Sequence, residues 1–247
     1  MRLILDLGNT LHKYAIYDGD VLVRLGSEPN LTTEAVSHLT DLYEVQQSII
    51  SSVDHHDAGL EEFLDQQTTL LHFTPATPLP IMNLYGTPAT LGKDRLAGVV
   101  GAFHAFPGQH VLVIDAGTCI KYDFLDASGA YYGGAIAPGL YMRLRAMHNF
   151  TARLPLIEPE HYPTVVEVPL TGNSTVDSMR SGALNGALFE VEGAIRAYTE
   201  RYPGLAVVLS GGDAGFFELH MKSRIFARPN LVLEGLNTIL NYNLTNH

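Results

Sequence analysis

Two short runs carry residue types suited to phosphate. Asp6-Leu7-Gly8-Asn9-Thr10 and Asp115-Ala116-Gly117-Thr118 each follow an apolar stretch with a carboxylate, a glycine and a hydroxyl. Glycine lets backbone N–H groups approach phosphate oxygens closely. The carboxylate can hold Mg²⁺, directly or through water. The hydroxyl and N–H groups then satisfy the phosphate oxygens. One such run is as readily an ordinary turn; two, each ending a strand and opening a hairpin, make a stronger case. Ser210-Gly211-Gly212-Asp213 is a third glycine turn after an apolar stretch, where an adenosine could pack. A fourth cluster, Gly92-Lys93-Asp94-Arg95, sets a carboxylate between two cations. Phosphoryl transfer to an alcohol needs a group that positions the hydroxyl and takes its proton, and Asp94 is of the right type. On these residues alone the simpler reading is a helix start, because Leu96 to Phe106 looks helical and Asp is a favoured cap.

Other chemistries find less support. There is no Gly-x-x-x-x-Gly-Lys-Ser/Thr for a P-loop and no Gly-x-Gly-x-x-Gly for a dinucleotide fold. His55-His56-Asp57 is the densest histidine group, yet no pair has metal-ligand spacing. Cys119 is the sole cysteine, so no intrachain disulfide forms, and it reads as a small apolar residue. The formal net charge of −11 argues against a nucleic-acid binder. Nucleotide binding then needs local positive charge. Of the four lysines, Lys93 falls within a glycine motif, and Lys13 and Lys121 each follow one three residues on.

The elements that must position these residues form an internal repeat. Arg2–Leu7, His12–Tyr17 and Val21–Leu25 read as a three-strand meander, with Asp18-Gly19 as a hairpin turn. Val111–Ile114, Ile120–Phe124 and Tyr131–Ala137 repeat it. The distance between Asp6 and Asp115 is too long for a solenoid, whose repeats run roughly 20–50 residues; it suits two copies of one small domain. The pattern predicts helices over 32–45, 59–66, 140–149 and 230–243, and strands over 47–53 and 206–209. The strongest helix runs from Ser174 to Arg201, with apolar residues three and four apart. Residues 71–92, rich in Pro, Thr and Gly, read as a long loop. No apolar run is long enough to span a bilayer, and Asp6 comes too early for a signal peptide, so a cytoplasmic protein is expected. The 247 residues divide into expected domains at 1–109 and 110–247.

The ordered set of Asp6 to Thr10, Gly92 to Arg95, Asp115 to Thr118, Gly133-Gly134-Ala135-Ile136-Ala137-Pro138-Gly139 and Ser174-Thr175-Val176-Asp177-Ser178-Met179 resembles type III pantothenate kinase. The resemblance covers nearly the whole chain. It implies an α/β fold of two ribonuclease-H-like domains, within the acetate and sugar kinase/Hsp70/actin superfamily. It implies ATP-dependent phosphorylation of pantothenate to 4′-phosphopantothenate, the first step of coenzyme A synthesis, in a homodimer. The cofactors implied are Mg²⁺ and a monovalent cation, K⁺ or ammonium. By the same resemblance, Asp6, Leu7, Gly8, Asn9, Thr10, Leu11, His12, Lys13 and Thr118 contact ATP, with Asp6 toward Mg²⁺. Tyr85, Gly92, Lys93, Asp94, Arg95 and Thr175 contact the acceptor, Asp94 is the general base, and Asp115 holds the monovalent cation. A kinase of another small acceptor on the same fold, or a nucleotide-sensing relative without turnover, are the alternatives. The second loop departs from the more common Asp-Phe-Gly-Thr-Ala-Thr at Ala116, Cys119 and Ile120, which bears on its phosphate and cation contacts.

Overall fold

The computed structural model describes residues 1–8, 11–52, 58–158 and 168–245. In chain order the strands are β1 Arg2–Leu7, β2 His12–Asp18, β3 Val21–Glu28, β4 Gln47–Ser52, β5 Thr69–His72, β6 Met82–Asn83, β7 Val111–Ala116, β8 Cys119–Leu125, β9 Ala130–Pro138, β10 Ala206–Ser210 and β11 Phe226–Ala227. The helices are α1 Thr33–Leu42, α2 Ala58–Gln67, α3 Lys93–Ala105, α4 Leu140–Asn149, α5 Thr175–Arg201, α6 Ala214–His220 and α7 Leu231–Thr245. Among the described residues no helix is long and apolar enough to cross a membrane.

The chain forms two compact units, 1–107 with 230–247, and 108–229. In unit 1 the strands run in the order β3-β2-β1-β4-β5. The meander β1-β2-β3 is antiparallel, while β4 and β5 continue from β1 in parallel. Gly19 turns the first hairpin at φ +58°, a left-handed conformation that Gly adopts without strain. Strand side chains alternate between faces. Leu3, Leu5 and Leu7 thus join Val36, Leu39, Leu60 and Leu64 in one buried cluster under α1 and α2. Ile4 points the other way and is also buried, on the face where α7 packs against β1, β2 and β4.

In unit 2 the equivalent strands run β9-β8-β7-β10-β11, again an antiparallel meander followed by parallel strands. The repeat seen in the sequence is therefore a repeat of topology. Leu112, Ile114 and Ala116 bury against α4, α5 and α6 through Leu140, Leu144, Leu184, Val191 and Phe217. Helix α5 starts where expected. Ser174 is its N-cap and accepts the Asp177 N–H at 3.1 Å. Ser174→Ala should cost about 1 kcal/mol, read as a lower midpoint in urea; an unchanged midpoint would show that the cap contributes nothing.

Two expectations are revised. The final helix does not belong with the second half of the chain; it is part of unit 1. Its physical reason is a close crossing with α3. A Cβ built on Gly235 would lie 1.8 Å from the Ala97 carbonyl oxygen, and one on Gly101 would lie 2.6 Å from the Leu231 carbonyl oxygen. Only glycine lets the backbones come so near. Asn237 on α7 also donates to the Gly19 carbonyl at 3.0 Å, and Asn241 accepts from Arg2 at 2.8 Å. The second revision concerns α3, which begins at Lys93 rather than Leu96. Lys93, Asp94 and Arg95 therefore form its first turn.

Candidate active site

In unit 1, Asp6 stands near the end of β1, half-buried, with Lys13 opposite it in the β1–β2 register. On the other side of β1 the parallel register sets Asp6 beside Ser51 and Leu7 beside Ser52 of β4. The Lys93 ammonium donates to the Ser52 carbonyl at 2.9 Å. The start of α3 is thereby tied to the strand that flanks the Asp6 loop. Gly8 is half-buried and Leu11 exposed. Leu7 lies in the core, so its side chain supports the strand and only its backbone can serve a ligand. His12 spends its Nδ1 accepting the Leu31 N–H at 3.1 Å, which fixes the chain entering α1. Asn9 and Thr10, like His55 to Asp57, lie outside the described residues.

The first turn of α3 is tightly built. Asp94 Oδ1 accepts the Arg95 N–H at 2.9 Å. Gly92, not Asp94, occupies the N-cap position. A Cβ on Gly92 would lie 2.5 Å from Asp94 Oδ1, so the carboxylate folds back over a spot only glycine leaves open. Arg95 is buried, and its guanidinium lies over the Tyr85 ring at 5.4 Å. Tyr85 is set by its N–H donating to Asn83 Oδ1 at 3.0 Å. The expected acceptor residues of this unit, Tyr85, Gly92, Lys93, Asp94 and Arg95, are thus one cluster. Gly92→Ala is expected to leave stability nearly unchanged, because the far end of a side chain can move. Turnover should fall by about 10-fold or more, since a misplacement of about 1 Å costs up to 10²-fold. Wild-type kinetics in that variant would show that the Asp94 position is not critical.

In unit 2 the Asp115 loop is held by backbone contacts on two sides. The Ala116 carbonyl accepts the Asp213 N–H at 2.9 Å, and the Thr118 carbonyl accepts the Gly139 N–H at 3.1 Å. Within the loop the Cys119 carbonyl accepts the Gly117 N–H at 3.0 Å. The Ser210–Asp213 turn and the Gly133–Gly139 run, both singled out from sequence, therefore converge on Asp115 to Thr118. Thr118 is exposed. Burial pushes the Asp213 carboxyl above the ordinary carboxylate range. Asp115 Oδ2 pairs with the Lys121 ammonium at 2.7 Å. Ile120 is fully buried beside Leu112 and Ile114. Its side chain belongs to the core of unit 2. Thr175 is the first residue of α5 and is exposed.

Some polar groups were not legible as partners. The Tyr122 hydroxyl donates to Glu190 Oε1 at 2.9 Å, and Arg143 pairs with Glu190 Oε2 at 2.6 Å. Burial first, then the Glu190 contact, raises the Tyr122 hydroxyl well above its usual range. A cavity of about 670 Å³ is lined by His110, Phe124, Tyr132, Tyr198, Arg201 and Tyr202. It lies at the end of β7 and β8 away from Asp115 and includes none of the expected site residues. Among the described residues no three His, Cys, Asp or Glu side chains gather as a metal cluster.

Two copies of this strand order, each with an Asp-x-Gly loop after its first strand, define a protein of the sugar kinase, Hsp70 and actin class. The fold is shared with the ROK hexokinase of Thermus thermophilus, at TM-score 0.54 and 14% identity, over 99% of both chains. Residues 2–197 match the family model described as type III pantothenate kinase. The chain is 44% identical to a type III pantothenate kinase of Bacteroides fragilis over 98% of each chain. It is 40% identical to that of Christiangramia forsetii, over 99% of this chain and 100% of the relative. The chain belongs to the type III pantothenate kinase family.

Proposed function

We propose that this protein transfers the γ-phosphoryl group of ATP to the terminal hydroxyl of pantothenate, the first step of coenzyme A synthesis, in the cytoplasm. Family membership over nearly the whole chain supports the acceptor and the nucleotide. The observation that carries the chemistry is the α3 first turn, where Asp94 is held beside Lys93, Arg95 and Tyr85. In this reading the Asp94 carboxylate accepts the proton of the attacking hydroxyl. Arg95, buried against Tyr85, offers a fixed cation for the pantothenate carboxylate, and its planar fork suits such a group.

For ATP, unit 1 offers the backbone of Leu7, Gly8, Leu11 and His12, with Lys13 opposite Asp6. Mg²⁺ is usually held by one or two carboxylates together with phosphate oxygens and water. A single half-buried Asp6 fits that requirement. When bound, the ion neutralises charge on the transferred group. Asp6 would hold it, directly or through water.

The test is coupled ADP release on adding pantothenate with ATP and Mg²⁺. Pantothenate-dependent turnover is expected. ATP binding without turnover would favour a nucleotide-sensing role, and turnover only with a sugar or another carboxylate would change the acceptor. The homodimer that the family resemblance implies is checked by light scattering on the eluting protein.

A further inference from the structure

Asp115 is the residue to which the family resemblance gives a monovalent cation, and its surroundings fit that role poorly. A K⁺-sized ion needs several oxygen ligands around a carboxylate. Asp115 Oδ2 is already engaged by the Lys121 ammonium at 2.7 Å, with both side chains about three-quarters buried. Oδ1 faces Gly211, whose added Cβ would come within 2.6 Å of it. The nearby backbone carbonyls of Ala116, Thr118 and Cys119 each accept an N–H already. A free cation on this carboxylate would also sit a few ångströms from a like charge, which is unfavourable at any dielectric.

We propose that Lys121 is a built-in monovalent cation, which supplies at Asp115 the positive charge that a free ion would otherwise bring. A lysine side chain ends in an ammonium ion, so its charge and hydrogen-bonding resemble those of NH₄⁺. The strand register places it there. Asp115 and Lys121 are direct partners across the β7–β8 hairpin. The alternation that buries Ile120 turns Lys121 to the opposite face. Lys121 is then a positioning residue. It holds the Asp115 carboxylate, and with it the loop carrying Thr118, without a dissociable ion. The sequence offered Lys121 as local positive charge for a nucleotide; its ammonium meets the Asp115 carboxylate.

The inference rests on the kinase reading for its turnover arm, while nucleotide affinity gives an independent arm. The experiment measures ATP affinity by calorimetry, and ADP release, with chloride salts of K⁺, NH₄⁺ or tetramethylammonium. Wild-type affinity and turnover should be the same in all three. Lys121→Ala should weaken nucleotide binding about tenfold or more in tetramethylammonium, the scale of one charge-assisted hydrogen bond. K⁺ or NH₄⁺ should restore most of that loss. Lys121→Met, which fills the space without charge, should lose affinity and recover less. A wild-type protein stimulated severalfold by K⁺, or a Lys121→Ala variant indifferent to every cation, would overturn the proposal. Turnover on an acceptor other than pantothenate, with affinities following the expected pattern, would count against the acceptor alone and support the lysine's role.

Discussion

Asp94→Asn is expected to lower turnover by about 10²–10⁴-fold, the usual contribution of a positioned base. The substitution is informative because Asn keeps the shape of Asp. Its side-chain oxygen can still accept the Arg95 N–H that Asp94 Oδ1 accepts at 2.9 Å. The first turn of α3 should therefore form as before. Lys93 should remain tied to Ser52 and Arg95 to Tyr85. What is lost is the ability to take a proton. Nucleotide affinity and the melting temperature should stay close to wild type. If turnover survives in Asp94→Asn while Asp94→Ala lowers only stability, the carboxylate is a helix-start residue and the base lies elsewhere.

The largest expected effect on stability comes from Gly235→Ala. In an open helix this change would gain about 1 kcal/mol. Here the new methyl group would meet the Ala97 carbonyl oxygen at 1.8 Å. That oxygen belongs to the α3 backbone, so no rotamer change relieves the overlap. Forced overpacking typically costs about 1–3 kcal/mol and sometimes more. A net loss of about 2 kcal/mol is expected, with a fall of roughly 4–8 °C in melting temperature for a protein of this size. Gly193 in α5 is the control, because a Cβ there meets nothing within 4 Å. Gly193→Ala should be neutral or stabilising. Equal melting temperatures for the two variants would mean that α7 can move off α3 without cost.

The strands and the loops between them were readable because their signals are local. Strand alternation and the Asp18-Gly19 turn foretold the first meander, and the same pattern after Val111 foretold the second. The order in which parallel strands add to each meander was not readable, since it depends on contacts between distant segments. The short strands at Thr69–His72 and Phe226–Ala227 have too few residues for a clear period. The placement of α7 escaped for a related reason. An apolar helix states that it packs, while only the facing pair Gly101 and Gly235 states where. For the site, the family resemblance named Asp94, Arg95 and Tyr85, and the stacking of Arg95 on Tyr85 became visible only in three dimensions. The Asp115–Lys121 pair was within reach. Both residues flank one hairpin, and counting back from the turn would have set them opposite each other.

The split of unit 1 into residues 1–107 and 230–247 also sets an order of events during synthesis. Unit 2 is continuous in sequence and can complete its own sheet as soon as residue 229 has left the ribosome. Unit 1 emerges first but cannot finish, because the face of β1 and α3 that α7 covers stays open until α7 itself is made. Closing it joins parts of the chain far apart in sequence, a slow class of contact. The nascent chain thus carries an exposed apolar face throughout the making of unit 2. That interval is when aggregation or chaperone capture has its opportunity.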